Sequence, residues 1–137
     1  RVVKLDGSID LMSKKSVSQY TVDIKFETKR LNSKLFGYIS KSESSLEVNL
    51  YQDYKFHHTK EQRITLKFGV ANRSRNNMVV VLGFCNLNSS AYPNLNFASN
   101  ATFQRSGSHM DLIIKLIQNP VADQPDADIT KTLKFVF

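Results

Sequence analysis

The 137-residue sequence contains no tryptophan, one cysteine, three prolines and five glycines. A single cysteine, Cys85, permits no internal disulfide and no cysteine-rich zinc module. It lies in the most apolar run of the chain without an activating neighbour in sequence, the setting of a buried, inert thiol. No stretch of about 18 apolar residues occurs, so no transmembrane helix is encoded. Neither end carries a secretory signal pattern. The chain opens on Arg1 rather than Met, and a processed or excised piece of something longer is the expectation.

Catalytic equipment is also missing. There is no phosphate-binding glycine loop and no nucleophile elbow, so no enzyme is expected and no catalytic residue is assigned. No cofactor is expected either. Of the three histidines, His57 and His58 are adjacent, and on a strand they would point to opposite faces, which is poor geometry for joint metal ligation. Asp123, Asp126 and Asp128 flank prolines without the glycine and terminal glutamate of an EF-hand loop, and a solvated loop is expected there. No metal site is expected. Lysine and arginine outnumber aspartate and glutamate by 19 to 12. In the sequence these charges are scattered, which reads as a solvated basic surface rather than a polyanion-binding cluster. No pattern for nucleic-acid recognition accompanies them, and nucleic acid is not an expected partner.

What the sequence does contain is period two. Leu5, Gly7, Ile9 and Leu11 alternate with Lys4, Asp6, Ser8 and Asp10. Tyr20, Val22, Ile24 and Phe26 do the same, as do Leu46, Val48 and Leu50, then Ile64, Leu66, Phe68 and Val70. Leu95, Phe97, Ala101 and Phe103 keep one parity, followed by Met110, Leu112, Ile114 and Leu116, and the chain ends on Leu133, Phe135 and Phe137. Such alternation puts one row of side chains on an apolar face and the next in water. Polar, turn-forming clusters separate the runs, and Asn119–Asp128, with Pro120 and Pro125, is the longest irregular connection. No apolar stripe at helical spacing persists over three turns. The fold class is therefore all-β: an antiparallel meander of about nine amphipathic strands with one apolar face, forming a single module over residues 1–137. One run departs from alternation. Met78–Cys85 is apolar on both parities, which predicts a strand covered on both faces.

Magnitudes show what this pattern demands. Roughly nine strands about 4.8 Å apart and about 30 Å long make a face of roughly 1,300 Å². Soluble monomers rarely expose apolar patches beyond about 300–600 Å². Covering the face is worth on the order of 30 kcal/mol as an upper bound. Either the sheet folds on itself as a sandwich or barrel, or lipid or another surface covers it. The candidate lipid-facing rows are Leu46, Val48 and Leu50; Ile64, Leu66 and Phe68; Val80, Leu82 and Phe84; and Leu112, Ile114 and Leu116. The same rows would also serve to pack a protein core. Three Asn-x-Ser/Thr acceptors, at Asn72, Asn88 and Asn100, would carry glycan in a secretory compartment and point to a secreted, extracellular glycoprotein.

Ser89-Ser90-Ala91-Tyr92-Pro93-Asn94-Leu95-Asn96-Phe97 is followed by Thr102-Phe103-Gln104-Arg105-Ser106-Gly107-Ser108-His109-Met110-Asp111-Leu112, and then by Gln118-Asn119-Pro120 with an Asp-rich turn. Over Ser89–Asp128 the chain resembles the β-rich part of the large lipid transfer proteins, most of all the apolipophorins, relatives of vitellogenin and apolipoprotein B. Over Tyr20–Val70 the similarity is one of pattern only. The resemblance implies a fragment of a large secreted lipoprotein active in lipid transport, whose amphipathic sheet covers lipid or a lipid cavity. Its implied partners are lipid, the rest of a larger lipoprotein chain and a cell-surface receptor. The chain lacks that family's lipid-transfer module, so loading or transfer activity is not assigned to it. The alternative is a self-contained β-sandwich for adhesion or recognition, with function in loops such as Asn72–Asn77 and Asn86–Pro93. A small lipid-binding barrel fits less well, because the chain has neither a helix pair after its first strand nor the Gly-x-Trp signature of the lipocalins.

Overall fold

A computed structural model describes residues 3–14, 16–118 and 129–136. It is all-β, with nine strands: β1 (Lys4–Lys14), β2 (Val17–Glu27), β3 (Leu31–Ser42), β4 (Ser45–Phe56), β5 (Gln62–Asn72), β6 (Met78–Ser89), β7 (Phe97–Ser106), β8 (His109–Gln118) and β9 (Ile129–Val136). Each pairs antiparallel with its neighbour in sequence, giving one sheet in the order β1 to β9 that does not close into a barrel. One 3-10 turn, Pro93–Leu95, interrupts the connection from β6 to β7. The Asn119–Asp128 connection lies outside the described residues, and so do Asp123 and Asp126.

The hairpin turns are built by short polar side chains that satisfy the backbone the strands leave behind. Between β2 and β3, Thr28 Oγ1 accepts hydrogen bonds from the backbone of Arg30 and Leu31 at 3.2 and 3.0 Å. Between β3 and β4, Ser42 Oγ accepts from Ser44 and Ser45. Asn76 adopts φ +48° between β5 and β6, and Gly107 adopts φ +59° between β7 and β8, the left-handed corners that tight hairpins require. Within the sheet, Gly37 sits at φ +147°, where a Cβ would collide with the carbonyl of Asn49.

Such a meander has no interior. The only buried apolar residues among those described are Val48 (4% exposed) and Val80 (9%), and no large side chain is fully buried. A sheet normally buries its apolar face against a second layer. Here the strands make contacts chiefly with their sequence neighbours, as expected of one open layer. The expectation that β6 is covered on both faces is corrected accordingly. Val79, Leu82 and Phe84 all remain exposed, because β6 is central in the sheet but no layer of the described residues lies over either side of it.

Candidate functional site

Directly opposed residues in an antiparallel pair share a face, so the register assigns every side chain to one side of the sheet. One ladder runs from Gly37 through Leu50, Leu66 and Leu87 to Phe97. Beside it, Ile39, Val48, Phe68, Cys85, Ser99 and Leu116 form a second, and Lys41, Leu46, Val70, Gly83, Ala101, Ile114 and Leu133 a third. A further row joins Val81, Phe103, Leu112 and Phe135. Toward the other edge, Leu11 opposes Tyr20, Ile9 opposes Val22, and Leu5 opposes Phe26. The apolar face is therefore continuous from β1 to β9. On β1–β8 its only charged residues among those described are Lys41 and Arg105, both near strand ends, and on β9 the register adds Lys131 opposite Leu116. The edge strand shows how open the face is: Leu5 is 73% exposed and Ile9 67%.

Nine of the twelve expected lipid-facing residues lie on this face: Leu46, Val48, Leu50, Ile64, Leu66, Phe68, Leu112, Ile114 and Leu116. Val80, Leu82 and Phe84 do not. They pair with Gln104, Thr102 and Asn100 on the opposite side, which corrects their inclusion in one common row. The residues of β6 that belong to the apolar face are Val79, Val81, Cys85 and Leu87. Cys85, expected to be buried, is half-buried between Phe68 and Ser99.

The opposite face is divided. Over β2–β5 it is polar and organised by hydrogen bonds and aromatic rings. Phe36 and Tyr51 stack at 5.3 Å between centroids, with Lys34 and Arg63 over the Phe36 ring and Lys67 over Tyr51. Arg63 holds Asp53 in a two-point clamp, Nε to Oδ1 at 2.6 Å and Nη2 to Oδ2 at 2.7 Å. That hydrogen bonding, against some opposing desolvation, holds the Asp53 carboxyl below the usual carboxylate range and raises Arg63. Lys34 pairs with Asp23 at 3.1 Å. Tyr38 donates to Glu47 Oε1 at 3.0 Å, which raises the phenol above its ordinary value. Asn49 Nδ2 donates to both Tyr38 Oη and Glu47 Oε1. On β6 the same face turns apolar, with Leu82 and Phe84 bordering an open groove that also includes Gly69, Ala71 and Asn100, and on β7 it is polar again with Asn100, Thr102 and Gln104.

No family model, curated protein or solved structure matches this chain. Its function is therefore read from its surfaces. The three glycan acceptors Asn72, Asn88 and Asn100 are all exposed. Asn88 opposes Thr65 and Asn100 opposes Lys115, which places both on the face away from the apolar one. Asn72 ends β5 opposite Val81, at the end of the apolar face, and its Oδ1 accepts from the Ser74 backbone at 3.0 Å. Among the described residues, no group of three His, Cys, Asp or Glu is placed to hold a metal ion. His57 and His58 lie in the turn after β4, not on a strand, and their ring centroids are 3.7 Å apart rather than on opposite faces.

The sequence reading missed a cluster of basic residues at one end of the sheet. In a meander, alternate turns emerge at the same end, so Lys29 and Arg30 after β2 come beside His57 and His58 after β4. Counting turns, rather than distance along the chain, is the signal that finds them.

Proposed function

We propose that the chain is a lipid-binding structural segment of a secreted, apolipophorin-like lipoprotein, in which the apolar face of the sheet covers lipid or lines a lipid cavity. One observation carries this reading: an apolar face spans all nine strands, and none of the described chain covers it. At roughly 1,300 Å² such a face is well beyond what a soluble monomer leaves in water. Lipid suits it because acyl chains demand no directional partner, and the central ladders through Leu50 and Leu66, and through Leu46, Val70 and Ile114, offer few. The polar aromatic and ion-pair network over β2–β5 then lies toward water, as do the acceptors Asn88 and Asn100. The motif similarity over Ser89–Asp128 supports the same assignment. A self-contained adhesion sandwich needs two stacked sheets, and the described strands form one.

The absence of tryptophan supplies the test. Leu66 and Thr65 are adjacent on β5 and belong to opposite faces. A Leu66→Trp variant mixed with phosphatidylcholine vesicles is expected to shift its emission to the blue and to be quenched by brominated acyl chains. A Thr65→Trp variant is expected to do neither. Equal behaviour of the two, or no change in either, defeats the proposal.

A further inference from the structure

The connections after β2 and β4 enclose an open cavity of about 400 Å³ at one end of the sheet. Lys29, Arg30, Lys55, His57 and His58 line it, and no carboxylate does. Glu27, Asp53 and Glu61 instead line the neighbouring cavity with Lys25 and Lys34, and Lys55 and Asn32 stand on the boundary that the two cavities share. The two connections are tied together, since the His57 backbone N–H donates to the Arg30 carbonyl at 2.9 Å. Thr28 Oγ1 pins the first turn, and Thr59 Oγ1 donates to the Phe56 carbonyl in the second. The cluster is thus a built concavity rather than a chance approach of long side chains. None of its cations forms an ion pair among the described residues, unlike Lys34 and Arg63 further up the sheet.

The cavity is also continuous with the apolar face. Leu31 and Phe56 line it, and they oppose each other on the apolar side of β3 and β4. Phe56 is half exposed and meets Tyr54 edge-on at 6.0 Å, so an aromatic pair separates the basic end from the aliphatic rows. Aliphatic surface, then aromatic rings, then cations is the order in which acyl chain, ester region and phosphate occur in a phospholipid. Aromatic side chains favour that intermediate level, and lysine and arginine bind phosphate oxygens with charge-assisted hydrogen bonds.

We propose that this cavity binds the phosphate-bearing headgroup of anionic phospholipid whose acyl chains lie on the adjoining apolar face. The inference rests on the lipid reading above and deepens it by naming the lipid class and the residues that select it. Charge complementarity favours an anion, and continuity with the apolar face favours an amphiphile over a soluble one.

The test is flotation of the chain with vesicles of phosphatidylcholine alone and of phosphatidylcholine mixed with phosphatidylglycerol. Two variants with the same loss of charge are compared, Arg30→Gln/Lys55→Gln in the cavity and Arg73→Gln/Arg75→Gln at the opposite end of the strands. All four residues are exposed, and far-UV circular dichroism checks that the sheet persists. Each cation near an anionic surface is worth about fivefold in binding, so the cavity variant is expected to lose about thirty-fold on the mixed vesicles and little on phosphatidylcholine. The Arg73/Arg75 variant is expected to lose far less. Equal losses for the two variants overturn the cavity, because a diffuse field would then account for binding. Equal binding of the unmodified chain to both vesicles overturns headgroup selection but leaves the lipid reading standing. Binding to neither vesicle, with retention on heparin that the cavity variant loses, overturns both in favour of a polyanion partner.

Discussion

Phe84 on β6 lays its ring across Gly69, its directly paired neighbour on β5. A Cβ at Gly69 would fall 2.6 Å from Phe84 Cε1 and 3.1 Å from the Leu46 carbonyl oxygen. A glycine inside a strand leaves bare backbone, and here the aromatic ring covers it. This gives Phe84 a role on the face opposite the aliphatic rows, where nothing requires it to meet lipid. Gly69→Val is expected to destabilise the sheet by about 1–3 kcal/mol, because the ring is displaced. Phe84→Ala is expected to cost about 1 kcal/mol by uncovering the backbone. Urea midpoints followed by circular dichroism measure both.

Gly37 makes a sharper demand. Its φ of +147° lies outside the range other residues favour, and an added Cβ would meet the Asn49 carbonyl, which is backbone and cannot swing away. Gly37→Ala is expected to cost about 2–4 kcal/mol, combining dihedral strain with overpacking. Gly83 is the comparison, since a Cβ there meets nothing closer than 3.7 Å. Gly83→Ala should leave the urea midpoint nearly unchanged, and equal losses at the two glycines would show that the close approach at Gly37 is unimportant.

Most of this architecture was legible in the residues. Strict alternation located β1, β2, β4, β5 and β8, because a half-exposed strand has to write its two faces in two chemistries. Alternation failed at Met78–Cys85, where both parities are apolar and either row could have joined the aliphatic face. The hairpin register decides it: Asn72 opposes Val81, so Val81 rather than Val80 continues that face. The basic cavity was illegible for a different reason. Lys29 and His57 are far apart along the chain, and only the alternation of turns between the two sheet ends makes them neighbours.

The Asp53–Arg63 clamp should make stability depend on pH. Because the Asp53 carboxyl is held below its ordinary value, the pair contributes fully above the unfolded carboxylate value of about 4 and loses its contribution as pH falls through the lower folded value. Arg63→Gln is therefore expected to be less stable than the unmodified chain at pH 7, with the gap closing as pH falls below about 4. The gap should be small and should shrink with salt, since Arg63 is 55% exposed. A gap that persists at about pH 2 would assign the stabilisation to the Arg63 guanidinium over Phe36 at 5.6 Å instead.

Aspartate substitutions separate the two faces most directly. Leu66 and Ile114 lie on the continuous apolar face, and Leu82 on the other. A carboxylate carried into acyl chains must be desolvated without a partner, a cost of several kcal/mol. Leu66→Asp and Ile114→Asp are therefore expected to abolish vesicle flotation of the folded fraction, on the order of a hundredfold or more. Leu82→Asp should retain most of it, because its carboxylate stays on the face shared with Asn88 and Asn100. Glycan added at those two asparagines in a secretory host should likewise leave flotation intact. If Leu82→Asp or glycosylation at Asn100 blocks binding while Leu66→Asp does not, the lipid-facing side of the sheet has been assigned the wrong way round.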